Sequence, residues 1–501
     1  MNLSKCVRIN TCSCLVVSAL CLGLAAGCSV GPNYHPPKLA TPSTWSAPLA
    51  GGETNGQVAA LTWWKNFNDP CLNSLVDRVV RSNLDLTLAS ARVREARAQY
   101  RIVAARLGPS VGASGSYARQ KQSENQPIIG SLQIPDYVPF ENNVYQAGFD
   151  AAWEIDVFGG TRRAVEAGKA DVAAAEFGLQ HVWITLVSEA ARNYVELRGH
   201  QQQLAIAKKN MSAQEQALGI TRDRFRNGLT TDLDVQQAAT LLATTRSEIP
   251  ALESRIESSI HRLSILIGQP PGALCEELSP PSPVPVASSG VPVGLPSELL
   301  LRRPDIQRAE RQLAAATARI GVATADLFPK FSLTGVAGFQ SVSASDWFTQ
   351  GSDFWSVGPT VQWRIFDSGR IRANIRLHDA RQEQALAAYE QTALNAFEEV
   401  ENSLVAYAKE QERQRALEEA VRSSADSLHL ANQLYTSGLA SFLNVLDAER
   451  SLYRTEEALT HSRSTVTQNL IALYKALGGG WEGKLEGEVK VPSSARAGSR
   501  L

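Results

Sequence analysis

One motif occurs twice and fixes the plan of the chain. Arg224-Phe225-Arg226-Asn227-Gly228-Leu229 leads into Leu233-Asp234-Val235, and Leu434-Tyr435-Thr436-Ser437-Gly438-Leu439 leads into Leu443-Asn444-Val445. Trp153 and Trp363, Gly159 and Gly369, and Gly268 and Gly478 recur at one offset of roughly 210 residues, so the chain reads as a tandem duplication. Pro109 and Pro329 pair at a slightly larger offset, which gives the first unit a longer insertion. Each unit holds two short alternating strands followed by two long helices.

The strands are expected at about 110–119 and 143–156 in the first unit, and at about 330–340 and 354–366 in the second. Tyr145, Ala147, Phe149, Ala151, Trp153 and Ile155 alternate with Gln146, Gly148, Asp150, Glu154 and Asp156. A period of two puts one set on each face. A half-buried soluble sheet shows the same pattern, but two features favour lipid. The runs have about the 10 residues that a tilted membrane strand needs, and aromatics bracket them. Tyr145 with Trp153, and Trp355 with Trp363, are expected at the lipid interface, while Asp150, Glu154 and Asp156 are expected to line a lumen. Pro359 interrupts the pattern, because it removes one ladder donor. Four strands cannot close, and barrels of this kind have at least about 8. The chain must therefore oligomerise, and periodicity alone does not choose between two and three copies.

The helices are long. No proline interrupts Thr161 to Phe225, and Trp183, Ala190, Leu197, Leu204, Met211, Leu218 and Phe225 recur every seventh residue. Ala393, Val400, Tyr407, Gln414, Val421, Leu428 and Tyr435 match them, with Gln414 the one polar break. Heptads of this kind mean helices laid side by side. Gly228 and Gly438 are expected to end each long helix at positive φ, and helices return from about Asp232 and Phe442. Asp232 is assigned to capping, and Asp234 is left open. The expected fold class is therefore α+β: a membrane β-barrel built jointly by several chains, continuing into a long antiparallel coiled-coil helical barrel. The first repeat spans 63–268, with its helical hairpin at about 161–268. A Pro-rich linker covers 269–296, and the second repeat covers 297–478, with its hairpin at about 370–477. A polar tail, 479–501, follows.

The N-terminus gives an address. Lys5 and Arg8 precede an apolar stretch from Leu15 to Ala26 that is shorter than the roughly 20 residues of a spanning helix. Residues 1–27 read as a signal peptide, because Leu24-Ala25-Ala26-Gly27-Cys28 resembles a bacterial lipobox. Cys28 is then the lipidated first residue, carrying diacylglycerol and an N-acyl chain, at the head of an extended arm, 28–62. The net charge of −1 excludes the basic field of a nucleic-acid binder. Cys71 and Cys275 have no local reason to pair, and seven scattered histidines lack metal-ligand spacing, so no metal is expected. Gly478-Gly479-Gly480 precedes Trp481 rather than a lysine and is no phosphate loop. No nucleophile–base set stands out, and no enzyme activity is expected.

The chain resembles the TolC-like outer membrane factors, in the lipoprotein branch of RND-type efflux systems. Cys28-Ser29-Val30-Gly31-Pro32-Asn33-Tyr34, Trp63-Trp64 with Asp69-Pro70, Leu301-Arg302-Arg303-Pro304-Asp305 and Tyr474 to Trp481 carry the resemblance. It implies a homotrimer with a twelve-stranded barrel in outer membrane lipid and a helical tunnel in the periplasm. It implies that the hairpin turns, Gly228-Leu229 and Gly438-Leu439, dock a periplasmic adaptor bound to an inner-membrane RND-type transporter. It also implies a periplasmic gate at Leu443, Asp447 and Arg450. Without the family, Asp447 and Arg450 are a solvated i,i+3 ion pair. The expected function is a passive trimeric efflux conduit for small molecules. The alternatives are the outer membrane channel of a type I polypeptide secretion system, or a coiled-coil adaptor lipoprotein.

Overall fold

The computed structural model describes residues 29–46, 53–54, 62–121, 123, 141–287, 291–293 and 296–479. Cys28, the signal segment, Trp481 and the tail lie outside the described residues. Four long strands are present: β1 (Ser110–Lys121), β2 (Glu141–Ile155), β3 (Lys330–Ser341) and β4 (Asp353–Gln362). The helices are α1 (Pro70–Ser82), α2 (Leu84–Ala104), α3 (Gly160–Arg226), α4 (Asp232–Leu266), α5 (Cys275–Leu278), α6 (Pro296–Arg302), α7 (Pro304–Ala325), α8 (Arg370–Thr436) and α9 (Phe442–Ala476). The chain forms two compact units, and each draws on both sequence repeats.

The first unit comprises the arm up to Pro37, Arg94–Ala174 and Glu310–Ala388. Its strands form an antiparallel sheet in the order β1-β2-β3-β4. The register puts Val111, Ala113, Tyr117, Phe149, Trp153, Leu333, Phe339, Trp355 and Val361 on one face. Ser114, Ser116, Gln146, Asp150, Glu154, Ser332, Thr334 and Thr360 share the other. Phe149, Trp355, Val357 and Val361 are exposed, so the apolar face is uncovered in a single chain. Soluble monomers rarely expose so wide an apolar surface. Pro359 sits in β4, an edge strand, where a missing donor is tolerated.

Gly148 and Gly338 face each other across β2 and β3. A Cβ on Gly148 would stand 2.7 Å from the Ala337 carbonyl oxygen, and one on Gly338 would meet the Ala147 carbonyl. The backbones approach so closely here that no side chain fits between them.

The arm is fastened to this unit through Arg163, which is buried. Its guanidinium donates to the Val30 carbonyl at 3.1 Å and to Asn33 Oδ1 at 2.7 Å. It also pairs with Glu166 at 2.8 Å, so the buried charge is compensated. Val30 N–H donates to the Phe158 carbonyl, and Ser29 lies against Gly159.

The second unit holds α1, the adjoining part of α2, the rest of α3, and α4 to α6. The start of α7, the rest of α8, and α9 complete it. Asp69 starts α1 by accepting from the N–H groups of Cys71 and Leu72, ahead of Pro70 at the first helical position. Leu72, Leu75, Val76 and Val79 then bury one stripe of α1. Trp63, Trp64, Tyr194, Leu197, Ile260 and Tyr474 join that stripe in one core, with the Trp63 and Tyr474 rings stacked 5.2 Å apart.

The heptad seam needs a correction along α3. Trp183, Ala190, Leu197 and Leu218 are buried, with Gln214 and Thr221 buried beside Leu218, but Phe225 is 44% exposed. Phe225 lies in the last turn of α3, next to its end at Arg226, while its counterpart in α8, Tyr435, is buried. Pro250 lies inside α4, which continues through it without that backbone donor.

Alanine at Gly148 or Gly338 is expected to lower stability by about 1–3 kcal/mol, as overpacking against backbone does. A urea-unfolding midpoint in detergent equal to that of the unaltered protein would contradict this.

Candidate functional site

The sheet offers two chemically different surfaces, and the hairpin turns offer a third. Asp150 and Glu154 lie on the polar sheet face, where the sequence places them. Asp156 does not. It follows the end of β2, and its carboxylate accepts from the Thr161 N–H at 3.1 Å and the Arg162 N–H at 2.7 Å. Asp156 therefore satisfies orphan donors at the start of α3 instead of facing a lumen. Asp367 does the same for Gly369 and Ile371 ahead of α8.

Trp363, expected inside the fourth strand, lies beyond its end at Gln362. Its indole N–H donates to the Leu327 carbonyl at 3.0 Å, and that of Trp153 donates to the Leu107 carbonyl at 2.9 Å. Each indole thus satisfies a carbonyl of the segment leading into a strand, while its ring stays exposed. Phe158 and Phe328 stack 4.5 Å apart near the same end of the sheet. At the other end, Tyr145 packs against Tyr117 at 4.9 Å and against Trp347 at 5.5 Å. Trp347, in the β3–β4 loop, belongs to this aromatic group, and no period marks a loop residue for sequence reading.

Both hairpin turns use one hydrogen-bond pattern. Gly228 N–H donates to Phe225 and Leu229 N–H to Arg224, while Gly438 N–H donates to Tyr435 and Leu439 N–H to Leu434. Gly228 and Gly438 have φ of 72° and 74°, the left-handed conformation that this ending requires. Leu229 and Leu439 are left exposed at the tips. Behind them Leu218, Val235, Leu241, Tyr435, Phe442, Val445 and Leu446 form a small core, with the Arg224 guanidinium 4.4 Å over the Tyr435 ring.

The turns differ in what starts the returning helix. Asp234, not Asp232, caps α4: its Oδ2 accepts from the Thr231 N–H at 3.2 Å, the Thr231 hydroxyl at 3.0 Å and the Thr230 hydroxyl. Asp232 merely accepts from Gln236 one turn on, at 3.4 Å. Burial works against the Asp234 charge, but these three donors outweigh it and hold the carboxyl below its ordinary value. At α9 the cap is Ser441, whose side chain makes no capping hydrogen bond.

Leu443, Asp447 and Arg450 share one face of α9 by their spacing. Leu443 is exposed, and Arg450 comes no closer to Asp447 than 4.0 Å. Between them is a residue that sequence reading passed over. Burial pushes the carboxyl of Glu449 up to about 7, and it has no hydrogen bond or ion pair among the described residues. Only its neighbours in three dimensions mark it; its spacing does not.

Among the described residues no cluster could hold a metal, and no helix is long and apolar enough to cross a membrane.

Comparison with known proteins follows these features closely. The family model described as outer membrane efflux protein matches residues 75–269 and 295–479. The solvent efflux pump outer membrane protein SrpC of Pseudomonas putida is 33% identical over 463 residues, covering 91% of this chain and 96% of its own length. Outer membrane protein OprJ of Pseudomonas aeruginosa is 34% identical over 469 residues, covering 93% and 96%. The solved structure of the outer-membrane channel OprN superposes with a TM-score of 0.85 at 38% identity, over 91% of this chain and 100% of that one.

The two tips are expected to respond to pH in opposite ways. Asp234 has a depressed pKa, so its contribution is complete above the ordinary 3.8 and is lost as pH falls through the lower folded value. Glu449 has a raised one, so its contribution is complete below 4.5 and is lost as pH rises through about 7. Hydrogen exchange corrected for intrinsic rates should show α9 protection near Phe442–Leu446 falling from pH 5 to 8, with α4 protection near Val235 constant. Glu449→Gln should flatten the α9 trend; an identical trend in that variant would refute the assignment.

Proposed function

The chain belongs to the outer membrane efflux protein family, and from that premise we propose that it works as a passive, homotrimeric conduit with an acylated N-terminus. It is the outer membrane channel component of an efflux pump. In the proposed assembly each copy donates four strands to one closed barrel of twelve. Helices α3, α4, α8 and α9 form the periplasmic extension. A periplasmic adaptor engages the exposed turns at Gly228-Leu229 and Gly438-Leu439, and an inner-membrane RND-type transporter supplies the energy.

One observation carries this reading. The sheet has one apolar and one polar face, and β1 and β4 are both unpaired edges. In hydrocarbon every unpaired N–H and C=O costs several kcal/mol, so only a closed barrel can present such a face to lipid. Pairing the edges of successive copies turns the apolar faces outward and brings Asp150 and Glu154 to the lumen. Tyr145, Trp153, Trp355 and Trp363 then mark the lipid boundaries. Leu443 and Asp447, repeated around a threefold axis, form an apolar ring and a carboxylate ring. Such rings exclude water and favour cations respectively.

The anchoring of the arm supports the proposed N-terminal lipid. Ser29 and Val30 are held at Gly159 and Phe158, just past the end of β2. Cys28 directly precedes this anchored segment in sequence, which supports a lipid at that position. Metabolic labelling with a palmitate analogue is expected to mark the unaltered protein and spare Cys28→Ala. Equal labelling of both would refute the acylation.

The conduit is tested in planar bilayers, with protein that migrates as a trimer until heated. Discrete conductance steps are expected, Leu443→Ala should raise resting conductance, and Asp447→Ala should weaken cation selectivity. Two carboxylates about 6 Å apart repel by roughly 3 kcal/mol at an effective dielectric near 20, so their removal has a measurable field to abolish. Unaltered conductance and selectivity in both variants, with trimers intact, would refute the gate.

A further inference from the structure

We propose that the helical unit carries, on the face of α3 and α9 turned away from the Trp63–Trp64 core, a binding site for small amphipathic organic anions formed by Arg192, Ser188 and Lys475. Calling that face the inner wall of a conduit rests on the function proposed above; the site itself does not.

Helical periodicity and the contacts of α3 and α9 set these residues on one side. On α3, Ala190, Ala191 and Tyr194 are buried in the core, and Thr185, Ser188 and Arg192 point to the other side. On α9, Tyr474 stacks on Trp63, while Ala472 and Lys475 face away from it. Two hollows of about 460 and 170 Å³ open here between α3, α8 and α9, and they adjoin, sharing Thr185, Glu399 and Lys475. The larger alone falls in the size range of small-molecule sites.

Charge decides the ligand. Three carboxylates border the hollows, and all are already engaged: Glu189 with Arg262, and Glu399 and Asp305 with one guanidinium, Arg303, which lies 2.8 Å from Glu399 and 2.6 Å from Asp305. Burial lowers the imidazole of His181 below its ordinary value, so it adds no charge near neutrality. Arg192 and Lys475 remain, and neither has a hydrogen bond or ion pair among the described residues. The Ser188 hydroxyl is buried, with 5% of the residue exposed, and has no hydrogen-bond partner. A buried hydroxyl left unpaired is costly, and an incoming anionic oxygen would satisfy it. Ile184, Ile471 and Ala472 supply apolar contact beside these polar groups. A cation would have to break an existing ion pair to bind here, whereas a carboxylate or sulfonate on an apolar body meets two free cations and a free donor.

The test is equilibrium dialysis of the full detergent-solubilised protein against 2-naphthalenesulfonate, with uncharged 2-naphthol in parallel and micelles alone as the blank. Arg192→Gln and Lys475→Gln are each expected to weaken sulfonate binding about fivefold to tenfold, as loss of one charge-assisted contact does. Naphthol binding should not change, and Arg192→Lys should keep most of the sulfonate affinity, which separates lost charge from misfolding. Lys409→Gln, an exposed residue paired with Glu412, should match the unaltered protein. Sulfonate binding that is equal in the unaltered protein and in the Arg192→Gln/Lys475→Gln variant would overturn the site. So would a parallel loss of naphthol binding. Conductance of the same samples tests the conduit separately: charge-dependent binding without conductance would keep the site and refute the channel.

Discussion

Everything in this protein depends on where backbone hydrogen bonds go when water is absent. A helix satisfies its own; a strand needs a neighbour on each side. Among the described residues the sheet of β1 to β4 leaves two edges open in one chain, and its apolar face is uncovered. That one shortage is what the proposed assembly of several copies around a common axis would relieve. At Gly148 and Gly338 the backbones approach too closely for any Cβ.

The duplication is best preserved where backbone groups would otherwise lack partners. Asp156 and Asp367 each receive N–H groups at the head of a long helix. Trp153 and Trp363 each donate to a carbonyl ahead of a strand. The ends of α3, α4, α8 and α9 share one pattern of paired reverse hydrogen bonds after Gly228, Gly268, Gly438 and Gly478. These are junctions, where direction changes and orphan donors or acceptors accumulate. Helix surfaces between junctions have no such requirement, and there the repeats diverge, as Leu204 against Gln414 shows.

The same distinction explains what the sequence disclosed. Period and punctuation are local, so the strands, the long helices and the turn glycines could be read to within a few residues. Roles set by a third dimension could not. Asp156 shares the parity of Glu154, and parity says nothing about the strand ending at Ile155. Asp232 and Asp234 both suit a helix start; only the hydroxyls of Thr230 and Thr231 converging on one carboxylate separate them. Phe225 fits a seventh-residue count, yet it lies in the last turn of α3 and is exposed. Arg163 offered no signal at all, because its partners, Val30 and Asn33, lie in an arm more than a hundred residues away in sequence.

The most informative divergence is at the two tips. The first returning helix begins with a carboxylate accepting from one backbone N–H and two hydroxyls, a cap of the kind worth about 1 kcal/mol. The second begins at Ser441 without a capping bond, and Asn444 stands where the first repeat has Asp234. Two turns later the second helix carries Glu449, a half-buried carboxyl with no partner, which costs free energy whenever it ionises. Both differences weaken the same end of the same helix. Local stability sets which segments of a fold open first. Leu443, Asp447 and Arg450 all lie on α9, so the residues assigned to the gate sit on the less firmly started of two otherwise equivalent helices. A gate must move and its frame must not, and in the proposed gate a duplicated hairpin would meet both demands by capping one copy and leaving the other uncapped.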